Sequence, residues 1–510
     1  MMARRAWEAS VLICGVAAAL LLAAWPTAPA AQTVNFTIAF AADPVSLYPP
    51  KTGGIIERLA HLQMFDGLVH REPSGKLVGR LAERWAKVDD TTWRFHLRRG
   101  IAFHNGEPLN AQAVKVSLDI LRDPKSVPAS RFRSYKEVRV VDDATVEIVT
   151  SEPDPFVPNN LADFGWILPP RYLQDRGEEG FAARPVGTGP YRFKEAMRGD
   201  RIVWEANDRY FLGRTKIRTV IWRTIPEAST RVAALLAGEV DLVWEVPPTM
   251  VDQVKANANL EVKNYPSPRS VYIGINAWAA GAPPALKDPR VRQALNYAVN
   301  RQAMITGLLR GFAQLIGQPL PTSAYVGFNP HIKPFPYDPE QARRLLVAAG
   351  AQNLALNLQF APRWLTREQA EAVAADLGRV GVRVTLQQQL TETFLRELVG
   401  YRISNLYSLS IQGNQVIDGT EIYNIAVASW GSFNWNKYRN EQVDALLRKA
   451  GTSFDVKVRD SLMRQVAQLT HDDPPWIYMW NNHSIWGVRK NVGWTPRVDD
   501  LVSVFDDVRL

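Results

Sequence analysis

The chain has 510 residues, so a single hydrophobic core is too small to organise it, and two or three domains are expected. Hydrophobic residues make up 46% and charged residues 22%, which is the composition of an ordinary globular protein. The formal net charge is +9. The basic residues of the chain are scattered, without a run of five, and this argues against nucleic acid as a partner.

The N-terminal segment has the layout of a secretory signal peptide, over residues 1–30. Arg4 and Arg5 precede an apolar run from Val11 to Trp25, and Ala30 ends an A-x-A cleavage pattern. An uncleaved membrane anchor is the alternative, but the run is shorter than the ~20 residues that a span needs. The segment therefore predicts export.

The only cysteine, Cys14, lies inside this apolar run. Lipid attachment at Cys14 is a second alternative, which the bulky Ile13 before it disfavours. Cleavage after Ala30 leaves a mature chain without cysteine, and this excludes disulfides, a thiol nucleophile and a cysteine-ligated metal.

The first third of the mature chain predicts a strand, a helix and a small α+β domain. Alternation predicts a strand and loop over residues 34–50, and apolar spacing predicts a helix over 57–71. Two hairpins, 85–97 and 138–150, each place an Asp-Asp turn between alternating runs. A helix over 111–124 lies between them.

The rest of the chain alternates helices and strands, which predicts an α/β domain. One helix is predicted over residues 288–311 and another over 338–350, and each begins with Asp as N-cap and Pro at the first helical position. Two amphipathic helices and a tryptophan-rich strand are predicted over 440–490.

The stretch "RPVGTGPYRF" (184–193) is compatible with a phosphate-binding loop or with a turn between domains. A phosphate loop must deliver free N–H groups at a helix N-terminus. Pro190 lacks an N–H, and residues 191–194 alternate like a strand. The pattern therefore favours a turn where the chain leaves one domain and enters another.

Motifs for catalysis are absent from the sequence. There is no G-x-S-x-G and no S-x-x-K, and none of the seven histidines forms H-x-H or H-x-x-x-H. His104, in "FHNGEP", is typical of a loop-packing residue. A metal site assembled from distant residues stays open at this point.

Seven segments resemble, in order, the family 5 solute-binding proteins of ABC importers, the dipeptide, oligopeptide and nickel-binding type. They are "FDGLV" (65–69), "LAERW" (81–85), "WRFHLRRGIAFHNGEPLNAQAV" (93–114), "PVGTGPYRF" (185–193), "LKDPRVRQALNYAVNRQAMI" (286–305), "YDPEQARRLLVAAG" (337–350) and "YRNEQVDALL" (438–447). Each segment alone is weak, whereas seven in order across nearly all of the mature chain are specific.

The resemblance implies an α/β fold with two lobes, the type II periplasmic-binding-protein fold, and an extra inserted α+β domain. The implied divisions are the signal peptide at 1–30, lobe I at 31–66, the inserted domain at 67–185, lobe I again at 186–272, lobe II at 273–480 and lobe I at 481–510. The ligand is expected in the cleft between the lobes, enclosed by hinge closure.

The resemblance also implies ligand-binding residues. Arg363 follows a lobe II strand near the place where peptide-binding members hold the ligand carboxylate, a task that suits a guanidinium. Asp418 is the first acidic residue of Asn405–Asn424, where such members hold the amino group after a Trp that is missing here. The complete predicted set is Thr52, Gly53, Gly54, Arg363, Trp364, Asn414, Asp418 and Trp430.

These features imply a binding protein rather than an enzyme. We expect a periplasmic monomer that binds a small molecule or short peptide, without cofactor or metal, and delivers it to ABC permease subunits in the inner membrane. The alternatives are an exported hydrolase and a receptor or chaperone on the same scaffold. A hydrolase needs a nucleophile and a base, and no motif in the sequence supplies them.

Overall fold

A computed structural model describes residues 34–278, 281–412 and 417–510, which form seventeen strands, fifteen α-helices and four short 3₁₀ helices. The strands are β1 (Asn35–Phe40), β2 (Val69–Arg71), β3 (Leu77–Gly79), β4 (Ala82–Asp89), β5 (Thr92–Leu97), β6 (Tyr135–Asp142), β7 (Thr145–Thr150), β8 (Tyr191–Met197), β9 (Arg201–Ala206), β10 (Thr219–Thr224), β11 (Leu242–Trp244), β12 (Leu260–Ile275), β13 (Ala313–Leu315), β14 (Ala355–Phe360), β15 (Arg383–Gln388), β16 (Leu406–Gln412) and β17 (Trp476–Arg489). The helices are α1 (Ile55–Met64), α2 (Ala111–Leu121), α3 (Val157–Phe164), α4 (Pro170–Ala183), α5 (Ala228–Ala237), α6 (Val251–Lys255), α7 (Pro289–Ala298), α8 (Arg301–Gly307), α9 (Pro339–Ala348), α10 (Arg367–Arg379), α11 (Thr391–Val399), α12 (Gly419–Ala426), α13 (Glu441–Gly451), α14 (Val456–Asp472) and α15 (Val504–Asp507). The predicted signal peptide and Cys14 lie outside the described residues.

One eleven-stranded sheet runs through both lobes. Its order is β15-β14-β16-β12-β17-β11-β1-β10-β9-β8, and β13 also pairs with β17. The two long central strands, β12 and β17, are antiparallel. In lobe I, β17 pairs with β11, and in lobe II the second half of β12 pairs with β16. Because β12 and β17 cross from one lobe to the other, they form the hinge.

The pairing of β12 with β17 is interrupted in the middle of the hinge. Its register shifts between Pro266 and Ser270, where β12 carries two prolines. Pro266 and Pro268 have no N–H to donate to the ladder, which weakens the sheet locally. The interruption therefore lies where a change in the angle between the lobes disturbs the fewest backbone hydrogen bonds.

Each lobe has its own hydrophobic core. The lobe I core contains the buried Trp204, Trp222 and Trp486. In lobe II, one cluster includes Leu295 and Val373 of α7 and α10, and another includes Tyr423 and Val466 of α12 and α14. The two clusters draw on different helices, as expected for an α/β lobe with helices on both faces of the sheet.

A separate four-stranded antiparallel sheet, β4-β5-β7-β6, forms the centre of a third unit. It packs against α2 and α3 through buried residues such as Phe95, Leu118 and Leu161. The two hairpins predicted with Asp-Asp turns are confirmed as β4–β5 and β6–β7. Helix α4 instead places Phe181 in the lobe I core. The domain boundaries given by the sequence stay predictions.

The helix predicted over residues 57–71 is shorter than expected. It ends at Met64, because Phe65 adopts an extended conformation with φ −118° and ψ 150°. Gly67 lies against the backbone of α3, and a Cβ there would be 2.7 Å from the carbonyl oxygen of Leu161. The chain then enters β2, so Val69 belongs to a strand.

The helix predicted over residues 288–311 is divided in two. Val299 between α7 and α8 is extended, with φ −97° and ψ 123°. Asn300 then caps α8, its side chain accepting a hydrogen bond from the N–H of Ala303 at 3.1 Å. Its own N–H donates to Oδ2 of Asp376 at 2.8 Å, a distant partner that the local pattern does not reveal.

The stretch 184–193 makes a close backbone crossing at the end of α1. The N–H of Gly189 donates to the carbonyl of Met64 at 2.8 Å, and the N–H of His104 donates to the carbonyl of Gly187 at 2.8 Å. A Cβ on Gly189 would be 2.6 Å from the Met64 oxygen, and one on Gly187 would be closer still to the same oxygen. Both glycines are therefore required by contact between backbones.

Candidate functional site

One edge of the lobe II sheet faces lobe I. Strands β14 and β16 are parallel, so their carboxyl ends, Phe360 and Gln412, lie at the same edge. Gln412 pairs with Arg269 of β12, which lies in the hinge. Both strands therefore run with their carboxyl ends toward the hinge, which is the usual side for ligands of parallel strands.

A cavity of about 270 Å³, the hinge cavity, lies beside the hinge strands β12 and β17. It opens on the side of β17 opposite β12, between the pairing of β17 with β13, which reaches Asn482, and its pairing with β11, which starts at Trp486. The volume approaches the lower end of the range for small-ligand sites. Its lining residues are Glu245, Val246, Pro247, Pro248, Ser267, Arg269, Leu309, Phe312, Asn482, His483, Ser484, Ile485 and Asp500.

Asp500 is a buried carboxylate of the hinge cavity. The hydroxyl of Tyr265 donates to Oδ1, and the hydroxyl of Ser484 donates to Oδ2 at 2.7 Å. Burial raises the pKa of Asp500, although these hydrogen bonds and the nearby charge of Arg269 act in the opposite direction. Its backbone is left-handed, with φ 64°, and the two hydrogen bonds hold its carboxylate against β12 and β17.

Two further charged side chains of the hinge cavity are available to a ligand. The guanidinium of Arg269 is half-buried and has no hydrogen bond or ion pair among residues 34–278, 281–412 and 417–510. Glu245 is exposed, and its left-handed backbone (φ 58°) ends β11. The cavity thus offers one cation and one anion that a solute with opposite charges can meet.

The predicted residues Thr52, Gly53 and Gly54 lie at the start of α1. The hydroxyl of Thr52 donates to the carbonyl of Pro49 at 3.2 Å. A Cβ on Gly53 would be 3.2 Å from the side chain of Val127, and Gly54 is the N-cap of α1. The side chain of Thr52 is thus used within its loop, and a backbone contact to ligand stays a prediction for these residues.

Arg363, Trp364 and Trp430 occupy different environments in lobe II. Arg363 is exposed, three residues after the end of β14. The ring of Trp364 packs 5.3 Å from that of Phe394, and the guanidinium of Arg448 lies 4.5 Å from the exposed ring of Trp430. Their ligand-binding roles stay predictions.

Asn414 lies outside the described residues, and the carboxylate of Asp418 is hydrogen-bonded to other residues of lobe II. Both carboxylate oxygens of Asp418 have partners, the N–H of Thr420 at 2.9 Å and Nε of Arg459 at 2.9 Å. The carboxylate therefore caps α12 and neutralises a buried arginine. A contact between Asp418 and a ligand amino group stays a prediction, which this geometry does not favour.

The sequence interpretation did not select the charged residues of the hinge cavity. Arg269 follows two prolines in "YPSPRS", a spacing unusual for a central strand, and Glu245 precedes Pro247 and Pro248. These prolines are the only features of the sequence near Arg269 and Glu245 that indicate an irregular, accessible part of the sheet. Asp500 gave none, because its partners Tyr265 and Ser484 belong to other segments of the chain.

Comparison with known proteins gives a consistent result. The family model described as "Bacterial extracellular solute-binding proteins, family 5 Middle" matches residues 76–452. A glutathione-binding protein GsiB from Pectobacterium atrosepticum is 29% identical, with 97% of each chain covered.

Solved structures give the fold. HbpA2 from Haemophilus parasuis superposes with a TM-score of 0.82 at 24% identity, covering 93% of this chain and 100% of the other. The periplasmic binding protein DppA from Helicobacter pylori, in complex with the peptide STSA, gives 0.77 at 24% identity, covering 93% and 98%. The predicted two-lobed type II periplasmic-binding-protein fold is confirmed.

Proposed function

The chain belongs to the bacterial extracellular solute-binding proteins of family 5, and from this we propose that it captures a small peptide or peptide-like solute for an ABC importer. The recognition made from the seven segments is confirmed. Members of this family are binding proteins rather than enzymes, and nothing supports the hydrolase, receptor or chaperone alternatives.

The proposed class of ligand rests on two side chains of opposite charge in the hinge cavity, Glu245 and Arg269. A free peptide has an amino group and a carboxylate, and the cavity presents Glu245 and Arg269. Arg269 suits the carboxylate because its guanidinium forms two parallel hydrogen bonds. Glu245 suits the amino group. A cation without a partner in a half-buried position is stabilised when an anion binds beside it.

The size of the cavity favours a short solute. About 270 Å³ accommodates a dipeptide or tripeptide more readily than a long chain. Glutathione is a tripeptide with one amino group and two carboxylates, and the relative from Pectobacterium atrosepticum carries its name. Glutathione is therefore the first solute to test.

The site of action follows from the same proposal. Residues 1–30 would direct export, and the mature chain would act in the periplasm as a monomer that meets the permease subunits after closure. Across residues 34–278, 281–412 and 417–510, the helices lack the length and apolar character needed to cross a bilayer.

Thermal unfolding with a panel of solutes tests the proposal. The panel contains glutathione, dipeptides and tripeptides, their C-terminal amides, their N-acetyl forms and the nickel–histidine complex. We expect free peptides to raise the melting temperature and to be recovered unchanged, and blocked peptides to have a smaller effect. A rise with blocked peptides equal to that with free ones would contradict the assigned roles of Glu245 and Arg269.

A further inference from the structure

Lobe II contacts the inserted unit as well as the hinge. The side chain of Arg131, in the 3₁₀ helix Val127–Phe132, forms an ion pair with Glu421 of α12. Both side chains are largely buried, with 21% and 10% of their surfaces exposed. Neither residue belongs to β12 or β17, so this ion pair joins lobe II to the inserted unit outside the hinge strands.

A second contact joins the same two units. The guanidinium of Arg459 lies 5.3 Å from the ring of Phe156, in the segment before α3. The same guanidinium donates to Asp418, the N-cap of α12, at 2.9 Å. Phe156 thus supports the arginine that fixes the first turn of α12, the helix that also carries Glu421.

A third contact lies at the far side of the inserted sheet. Phe454 lies between α13 and α14. The ammonium group of Lys87 is 4.1 Å from the centre of its ring, and the ring of Trp93 packs 5.9 Å from it, centre to centre. The three contacts use separate parts of the inserted unit, from β4 and β5 to the segment before α3. Lobe II is therefore held at several points by a unit that is not part of lobe I.

We propose that the contacts Arg131–Glu421 and Phe156–Arg459 form a latch by which the inserted domain holds lobe II closed, and that this latch sets the rate at which solute leaves. Arg131 and Phe156 are positioning residues, because they act on α12 and do not line the hinge cavity. The inference rests on the proposed function in one respect, namely that a solute is enclosed when the two lobes close.

The latch affects solute release because the latch contacts and the bound solute both stabilise the closed arrangement of the lobes. A solute enters while the lobes are open and is contacted from both lobes only after closure, so its overall affinity falls when the closed form is less populated. Opening separates a largely buried ion pair, and removing one partner of such a pair acts mainly on dissociation. Association, which begins from the open form, is affected much less.

The position of the lobes without solute tests the latch independently of ligand identity. Arg214 of lobe I and Lys449 of lobe II are exposed and are replaced by cysteine for spectroscopic labels, in a chain that begins at residue 31. We expect Arg131→Glu to move the distance distribution toward longer values, and Arg131→Glu with Glu421→Arg to restore it. Arg139→Ala is the matched control, since Arg139 pairs with Glu137 and Glu147 of the inserted sheet. Distributions identical for the wild-type chain and Arg131→Glu would overturn the proposal.

Stopped-flow binding of glutathione gives the second readout. We expect Arg131→Glu and Phe156→Ala to dissociate about tenfold faster or more, with an association rate changed less than about threefold. The reversed pair restores slow dissociation, which a variant that only perturbs folding would not do. Equal dissociation rates in the wild-type chain and Arg131→Glu contradict the latch. If glutathione does not bind the wild-type chain, the proposed solute class fails, and the distance measurement still decides the latch.

Discussion

Nε of Arg459 donates a hydrogen bond to Oδ2 of Asp418 at 2.9 Å, and the N–H of Thr420 occupies the other carboxylate oxygen. Both residues of the ion pair are nearly buried, with 8% and 5% of the side chains exposed. An acidic residue that the sequence marks as a candidate ligand contact thus serves first to begin α12. Its loss removes a helix cap and leaves a buried charge without its carboxylate.

Asp418→Asn is therefore expected to destabilise the protein. Removing one charge of a buried pair costs about 3 kcal/mol of unfolding free energy, which chemical denaturation measures. Arg367→Ala is the control, because its pair with Glu371 is exposed and an exposed pair contributes at most about 1 kcal/mol. Equal stability of the two variants would contradict the structural role of Asp418.

Gly189→Ala tests the backbone crossing at the end of α1. A Cβ there would be 2.6 Å from the carbonyl oxygen of Met64, so the backbone must shift and the N–H···O bond between Gly189 and Met64 weakens. We expect a loss of about 2 kcal/mol or more in unfolding free energy. Gly378→Ala is the control within α10, where open space surrounds the new methyl group and helix propensity gives a gain of up to about 1 kcal/mol.

The charges of the hinge cavity predict a pattern in the binding of peptides. Arg269→Met should weaken free peptides by about tenfold to a hundredfold, because a charge-assisted hydrogen bond contributes about 1.5–3 kcal/mol. The same variant should have little effect on C-terminal amides. Glu245→Gln should weaken free peptides and leave N-acetyl forms nearly unchanged. Calorimetric titration measures all four combinations, and a uniform loss across blocked and free peptides would speak against direct contact.

His104 predicts a dependence of stability on pH. Nδ1 of His104 accepts from the N–H of Gly187 at 3.3 Å, so Nε2 carries the proton that it donates to the carbonyl of Gly189 at 2.9 Å. Burial lowers the pKa of His104 to about 4. The unfolded chain takes up this proton near pH 6.5, so the contribution is present above that pH and is lost as the pH falls toward 4.

We expect His104→Gln to reduce the loss of stability between pH 7 and pH 4.5. The amide of Gln supplies a donor and an acceptor in place of the neutral imidazole and does not titrate. The effect is at most about 1.4 kcal/mol per pH unit. Denaturation midpoints at several pH values measure it, and parallel curves for the two proteins would refute the assignment.

Local rules predicted the parts of the fold that depend on neighbours in sequence. The side chains of Asp288 and Asp338 accept from N–H groups two and three residues onward, as their Asp-Pro patterns indicated. The strand predicted after Pro190 in the stretch 184–193 is confirmed as β8. The partner of Gly189, Met64, was not predictable, since nothing near residue 189 in sequence indicates a helix end more than a hundred residues earlier.

The residues of the hinge cavity were not among the predicted site residues, because they come from distant parts of the chain. The hinge cavity is assembled from β11, β12, β17 and the segment before α15, and pairing between these elements fixes which side chains converge. Asp418 was selected as a ligand-binding candidate, and its distant partner Arg459 shows a structural use of its carboxylate. Spacing alone does not contain that information.

The most direct measurement is native mass spectrometry of the protein purified from the periplasm of a cell that grows on peptide-rich medium. We predict one bound solute that carries both an amino group and a carboxylate, released intact on denaturation. Its occupancy should fall sharply in Arg269→Met and in Glu245→Gln. A bound solute without these groups, or an occupancy unchanged in both variants, would contradict the account.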